Sequence, residues 1–91
     1  MIDITRPVPC WKYVRQNGWG EQLRHVHEEL GEAVEALFDG DRDHAAEEFT
    51  DAITALTTML EILGYDAENR AVIQAKVNDK NEARGYWEVD D

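Results

Sequence analysis

Apolar residues recur at helical spacing along three long segments of the chain. They predict amphipathic helices over residues 21–38, 44–63 and 67–83. The apolar positions that carry this pattern are Leu23, Val26, Leu30, Val34, Leu37, Phe49, Ala52, Ile53, Leu56, Leu60, Leu63, Val72, Ile73 and Val77. No strand-like alternation accompanies them, so the fold class is predicted to be all-α. The short connections favour helices that pack antiparallel to their neighbours.

Turn and capping residues mark the boundaries of these segments. Gly40 separates the first two helices, and Asp41 or Asp43 can cap the second. Gly64 ends the second helix, and Asp66 can cap the third. These signals divide the long segments into three consecutive helices within one domain.

The two ends of the chain have a different character. Both prolines lie within residues 1–9, which are expected to form an extended arm. A short helix is predicted over residues 10–16, and Gly85 begins a tail over residues 85–91. A single domain of 91 residues has a marginal core, so packing against a second copy is expected.

Charge and cysteine content narrow the functional classes. The formal net charge of −11 disfavours nucleic acid or an anionic membrane as a partner. The single cysteine, Cys10, excludes an internal disulfide and fits a reducing compartment. The chain has no signal-peptide pattern and no apolar run near the ~20 residues that a membrane helix requires. A soluble cytoplasmic protein is therefore expected.

Two pairs of carboxylates are the main candidates for chemistry. Glu29 and Glu32 lie three residues apart on the first long helix, as do Glu48 and Asp51 on the second. Residues at this spacing share a helix face. If the two helices pack together, four carboxylates converge, and such a group needs a cation to remain ionised. Oxygen ligands in this number favour Mg²⁺, with Mn²⁺ as a substitute.

The helical positions of these carboxylates strengthen the interpretation. If Leu30 and Leu56 mark the centres of the buried faces, all four carboxylates fall on flanks rich in alanine rather than on the solvent side. Charged residues beside a core need a structural or chemical reason. The alternative is that acidic pairs arise by chance, because 20 of the 91 residues are Asp or Glu.

The histidines limit the choice of metal. Di-iron helical bundles use Glu-x-x-His, and no histidine of this chain lies three residues after a glutamate. His25 lies one turn before Glu29 and is expected to line the site, whereas His27 and His44 are expected on the surface. A hard cation is therefore favoured over iron or zinc.

Basic residues and aromatics supply candidate contacts for a nucleotide. Three cations and one amide are grouped at the end of the third helix and are candidate phosphate ligands: Lys76, Lys80, Asn81 and Arg84. The cations also suit the helix dipole, which is an equally good explanation of their position. Three aromatics precede the first long helix, namely Trp11, Tyr13 and Trp19, and any one of them could stack on a base. Base binding is assigned to Trp11, Trp19 and His25, although core or interface packing is the commoner role of a single aromatic.

The acidic pattern resembles that of a known superfamily. Glu28-Glu29-x-x-Glu32, followed after 15 residues by Glu48-x-x-Asp51, is similar to the MazG-type motif of all-α nucleoside triphosphate pyrophosphatases. The resemblance implies a MazG-like helical bundle of three main helices and a short N-terminal helix, completed by oligomerisation. It further implies that these four motif carboxylates, from Glu29 to Asp51, bind Mg²⁺.

The same resemblance implies an activity. MazG-like enzymes cleave a (d)NTP to a (d)NMP and pyrophosphate, and they act as dimers or as tetramers built from dimers. By motif position Lys80, Asn81 and Arg84 would contact phosphates, and Lys76 is an alternative to Lys80. Glu32 and Glu48 are both candidates for the catalytic base. The rival hypotheses are a phosphoribosyl-ATP pyrophosphohydrolase, a non-catalytic helical regulator that binds a nucleotide, and a purely structural bundle.

Overall fold

The computed structural model describes residues 6–89. These residues form four helices and no strand: α1 (Trp11–Gln16), α2 (Trp19–Phe38), α3 (Arg42–Ile62) and α4 (Ala67–Ala83). The all-α prediction is therefore confirmed for the described part of the chain. Residues 1–5 of the predicted arm and residues 90–91 of the predicted tail lie outside it.

Capping interactions explain where the long helices begin and end. The Asp41 side chain accepts a hydrogen bond from the backbone N–H of His44 (3.1 Å), and α3 follows Asp41 directly. Asp66 does the same for α4 through the N–H of Asn69 (3.0 Å). Gly64 has a φ of 95°, a conformation that favours glycine and separates α3 from α4.

The observed boundaries agree with the predicted ones to within two residues. The bounds of α4 are those predicted, whereas α2 and α3 each begin two residues earlier than expected. The added first turns of α2 and α3 carry mostly polar residues or glycine next to the cap, so apolar periodicity gave no signal there.

Helices α2 and α3 pack against each other through a line of small and polar residues, here called the seam. Its members are Gln22, Val26, Glu29, Ala33 and Ala36 on α2, and Ala45, Glu48, Ala52, Ala55 and Thr58 on α3. The spacings are three or four residues, as expected for one face of a helix. Because alanine side chains are short, the two helix backbones can approach closely.

The seam corrects the prediction of the buried face. Leu30 and Leu56, taken as the centres of the buried faces, are 38% and 48% exposed. They belong to a second line of large apolar residues on the same two helices, here called the outer stripe. Its members are Leu23, Leu30, Val34, Leu37, Phe49, Ile53 and Leu56, all of them exposed in the single chain.

Two fully buried polar residues attach the N-terminal segment to the hairpin that α2 and α3 form. Gln22 donates a hydrogen bond to the carbonyl of Ala55 and accepts one from the side chain of Asn17, each 3.0 Å long. The hydroxyl of Thr58 accepts a 2.9 Å hydrogen bond from the backbone N–H of Cys10. These bonds satisfy polar groups that are costly to bury unpaired, and they fix α1 beside α3.

Helix α4 is attached to the end of α3 by one arginine. Arg70 donates to the carboxylate of Glu61 and to the backbone carbonyl of Tyr65 (2.8 Å). The side chains of Tyr86 and Trp87, beyond α4, are exposed. Among the described residues, no helix is both long and apolar enough to cross a membrane.

Candidate functional site

Three of the four predicted carboxylates meet where α2 and α3 pack together. Glu29, Glu48 and Asp51, here called the acidic trio, each place one carboxylate oxygen within 4.8 Å of the others. Glu29 and Glu48 are seam residues whose side chains are only 16% exposed, whereas Asp51 is exposed at the edge. The antiparallel packing thus brings together residues from two separate sequence motifs.

The two seam glutamates carry incompletely paired oxygens. Glu29 Oε2 and Glu48 Oε2 are buried, and neither has a hydrogen-bond partner among residues 6–89. A buried carboxylate oxygen without a donor costs free energy, so native structures rarely keep one without an ion or a solvent molecule. A cation placed between the two helices would offset this cost.

The pKa of Glu29 reflects the same crowding. Burial raises it above the ordinary value, and the negative charge of Glu32 raises it further. His25 partly opposes the shift, while Asp51 and Glu48 add smaller increases. The carboxylates around Glu29 thus repel one another, and a divalent cation among them would relieve this repulsion.

Glu32, the fourth predicted ligand, lies at the edge of the trio and is exposed. When one of the two carboxyl groups is protonated, Glu32 and Glu48 can share a side-chain hydrogen bond, and this is the largest cause that raises the pKa of Glu32. Repulsion between the two charges raises it further, with a smaller contribution from desolvation. Glu32 is thus electrostatically linked to the trio without being one of its three members.

A cavity of about 250 Å³ adjoins the acidic trio between α1, α2 and α3. Its lining includes Glu29 and Asp51 together with Tyr13, Gln22 and His25. The rings of Tyr13 and His25 meet edge to face, with centroids 5.1 Å apart and planes inclined at 68°. The cavity therefore joins a carboxylate cluster to an aromatic wall.

Only one of the three predicted base-binding residues lines the cavity. His25 lines the cavity, whereas Trp11 and Trp19 are exposed and lie outside its lining. Tyr13, the third aromatic that precedes the first long helix, lines it as well, and so does Gln22, which the sequence did not single out. Gln22 had a usable signal, because it continues the three-and-four spacing of Val26 and the rest of the seam. No periodic signal marks Tyr13, which depends on where α1 packs.

The predicted phosphate ligands are not among the residues that line the cavity. Lys76, Lys80, Asn81 and Arg84 belong to α4 or its C-cap, outside the cavity lining and outside the trio. The Arg84 guanidinium lies 6.0 Å from the centre of the Tyr86 ring, within cation–π range. Their role as phosphate ligands stays a prediction.

Comparisons of the chain with protein-family models, with curated proteins and with solved structures found no match. The likeness to MazG-type pyrophosphatases therefore rests on the acidic motifs of the sequence. Function has to be inferred from the trio, the cavity and the exposed apolar surface.

Proposed function

We propose that this chain is a Mg²⁺-dependent nucleoside triphosphate pyrophosphohydrolase of the MazG-like type, which converts a (d)NTP to a (d)NMP and pyrophosphate. One observation carries the proposal. The seam between α2 and α3 is built of small and neutral residues except at Glu29 and Glu48. Both of these carry a buried oxygen without a partner among the described residues, and both lie with Asp51 in a cluster of carboxylates within 4.8 Å of one another.

The donor set favours Mg²⁺ or Mn²⁺ as the cofactor. Every ligand atom of the trio is a carboxylate oxygen, which suits hard divalent cations, whereas zinc sites usually contain histidine or cysteine. Glu29, Glu48 and Asp51 would hold the ion, with Glu32 within reach at the edge. A bound cation of this kind neutralises charge on phosphate oxygens during their displacement.

The cavity supports a nucleotide as the substrate. Its volume of about 250 Å³ is below the usual range for drug-sized ligands, so it suits a base or a sugar rather than a whole nucleoside triphosphate. Tyr13 and His25 offer flat aromatic surface on one side. The triphosphate would then extend from the cavity toward the trio, which lines the same space through Glu29 and Asp51.

Glu32 is the best-placed candidate for the general base. It is exposed to water and lies outside the trio, so a cation held by the trio would leave its carboxylate available to accept a proton from water. Glu48 was the alternative from the sequence. It is less suitable because it belongs to the trio, where a bound cation would occupy its carboxylate.

The outer stripe supports assembly of two or more copies. Seven large apolar residues on adjacent helices are exposed in the single chain, which is typical of a surface that another protein covers. We propose a homodimer or a tetramer made of two dimers, in which a partner copy covers this stripe. In such an assembly, the cations of α4 in one copy could lie near the acidic trio of another copy. The single cysteine fits a cytoplasmic enzyme.

Product analysis tests the proposal. The protein is incubated with a panel of NTPs, dNTPs and phosphoribosyl-ATP in Mg²⁺, Mn²⁺ or EDTA, and the products are separated. We expect monophosphate and pyrophosphate from at least one substrate, and no turnover in EDTA. Glu48→Gln should lower the rate by roughly a hundredfold or more, since a lost metal ligand removes about 3 kcal/mol of transition-state stabilisation.

Glu47→Gln is the matched control, because Glu47 is the exposed neighbour of Glu48 on α3 and its substitution removes the same charge. It should leave the rate within about twofold of the wild type. Diphosphate with orthophosphate would show that a different bond is cleaved. Nucleotide binding without turnover of any substrate would instead indicate a regulator, and either result contradicts the proposed function.

A further inference from the structure

Each seam glutamate has a histidine four residues before it on the same helix. His25 precedes Glu29 on α2, and His44 precedes Glu48 on α3. Residues at this spacing are neighbours on the helix surface. His44 Nε2 lies 3.1 Å from Glu48 Oε1, within hydrogen-bond distance, and His25 Nε2 lies 3.6 Å from Glu29 Oε1. The two antiparallel helices thus repeat one arrangement on both sides of the acidic trio.

The two histidines contact equivalent atoms. In both pairs the imidazole faces Oε1, and in both pairs the buried oxygen without a partner among residues 6–89 is Oε2. In each carboxylate, therefore, one oxygen faces a histidine of the same helix, and the other is buried without a partner. His44 was expected to be a simple surface residue, and although its side chain is 53% exposed, this contact gives it a defined partner.

We propose that His44 is a positioning residue, which holds the Glu48 carboxylate by its Oε1 so that Oε2 is directed at the divalent cation. His25 faces Glu29 at 3.6 Å, which is beyond hydrogen-bond distance, so the positioning role is confined to His44. This inference rests on the proposed function, because it requires that the trio binds a cation. Hydrogen-bond partners of metal-ligating carboxylates orient the ligand before the metal arrives and so increase its affinity.

The hydrogen bond does not depend on the charge of the imidazole. A neutral ring in the Nε2–H tautomer donates to Oε1, and a protonated ring donates from the same nitrogen. The backbone N–H of His44 is bonded to the Asp41 cap (3.1 Å), which fixes the backbone from which the ring extends at the start of α3. Its side chain then needs only to span one helical turn to reach Glu48.

Titration with Mn²⁺ alone tests the inference without any nucleotide. Free and bound Mn²⁺ are separated by electron paramagnetic resonance for the wild type, His44→Ala and His44→Gln. We expect His44→Ala to weaken Mn²⁺ binding about tenfold, at the lower end of the usual range for such partners because His44 is half exposed. His44→Gln keeps an N–H donor of similar reach and should recover most of the affinity.

His27→Ala is the matched control, since His27 is exposed on α2 and lies outside the trio and the cavity lining. It should bind Mn²⁺ like the wild type. The melting temperature of each variant without metal shows whether the substitution acts through the fold instead, and we expect all of them to melt with the wild type.

The outcomes separate this inference from the proposed function. If the wild type binds Mn²⁺ and His44→Ala binds it equally well, the positioning role is wrong and the metal site stands. If His44→Gln is as weak as His44→Ala, the hydrogen-bond donor is not the cause and the inference also fails. If the wild type binds no Mn²⁺, both the metal site and the positioning role are overturned.

Discussion

The two faces of the α2–α3 hairpin carry very different side chains. The seam is made mainly of alanines together with Gln22, Thr58 and two glutamates, and it is closed within the single chain. The outer stripe holds the large apolar residues of the same helices and is open. A domain ordinarily buries its largest apolar side chains first, because they contribute the most hydrophobic free energy. Here the single chain buries its smallest ones.

This difference suggests a division of roles between the two faces. Alanines let α2 and α3 approach closely, and this brings the carboxylates of Glu29 and Glu48 together from separate helices. The larger hydrophobic contribution is left on the outer stripe, where a second copy would supply the missing partner surface. On this interpretation the seam determines the chemistry, and the outer stripe provides stability through assembly.

The largest expected effect comes from placing a charge on the outer stripe. Leu56→Asp should dissociate the assembly, because in a two-fold interface each substitution is present twice and together they remove about 3 kcal/mol or more of apolar burial. That loss corresponds to roughly a hundredfold weaker association. Sedimentation velocity at several concentrations measures the change.

Val72→Asp provides the control for this experiment. Val72 is an exposed apolar residue of α4 and lies outside the outer stripe, so the same substitution there should leave the association constant unchanged. A wild type that sediments as a monomer at all concentrations would mean that the stripe has no partner copy, and the assignment of roles to the two faces would be wrong.

A substitution in the seam should have an intermediate effect. Ala33 is fully buried between α2 and α3, so Ala33→Leu would force the helices apart and cost about 1–3 kcal/mol. For a domain of this size, each kcal/mol lowers the melting temperature by roughly 4–8 °C. Thermal unfolding by circular dichroism measures the shift, with Ala71→Leu on the exposed side of α4 as the control.

If Ala33→Leu melts with the wild type, the helices do not meet at the alanines in solution. The comparison of the two faces would then have to be reversed, with the leucines buried in each chain as the sequence first indicated. Retention of the wild-type melting temperature by Ala71→Leu is needed for this conclusion, since it shows that the added side chain itself is harmless.

Local signals in the sequence were sufficient for the helices. Asp66 and Gly85 bracket α4, and the structure places its bounds as predicted, because capping and termination depend on nearby residues. The choice between seam and stripe could not be made in this way. Both faces of α2 and α3 show helical periodicity, and only the packed structure shows which face meets the other helix.

The parts of the candidate site that lie on α2 and α3 could be predicted from the sequence, and the parts that depend on α1 and α4 could not. Glu29, Glu48 and Asp51 converge as expected, since charges beside alanines identified the right flank. The contribution of Tyr13 to the cavity depends on the position of α1, which is fixed by bonds between residues far apart in sequence. The location of the α4 cations likewise depends on how that helix packs, about which a helical wheel gives no information.

The smallest expected effect is the pH dependence of stability that Glu29 causes within the seam. Burial and neighbouring carboxylates raise the pKa of Glu29 on folding, so its ionised form destabilises the metal-free protein. Protonation of Glu29 removes this cost, so its contribution to the free energy of unfolding is fully present below the pKa of a glutamate in the unfolded chain. It is lost as the pH rises through the higher pKa of Glu29 in the folded protein. Metal-free wild type should therefore gain stability as the pH falls from 7 toward about 4.5, the ordinary pKa of the group.

Glu29→Gln removes this charge and with it part of the pH dependence. In EDTA at pH 7 the variant should melt above the wild type, and the difference should shrink as the pH is lowered. Mn²⁺ should reverse the order, because it stabilises only the protein whose ligand set is intact. Glu47→Gln, which removes an exposed charge of α3, should follow the wild type in both series. A Glu29→Gln variant that melts below the wild type in EDTA would show that Glu29 stabilises the seam, and the seam would then be structural rather than a site built for a cation.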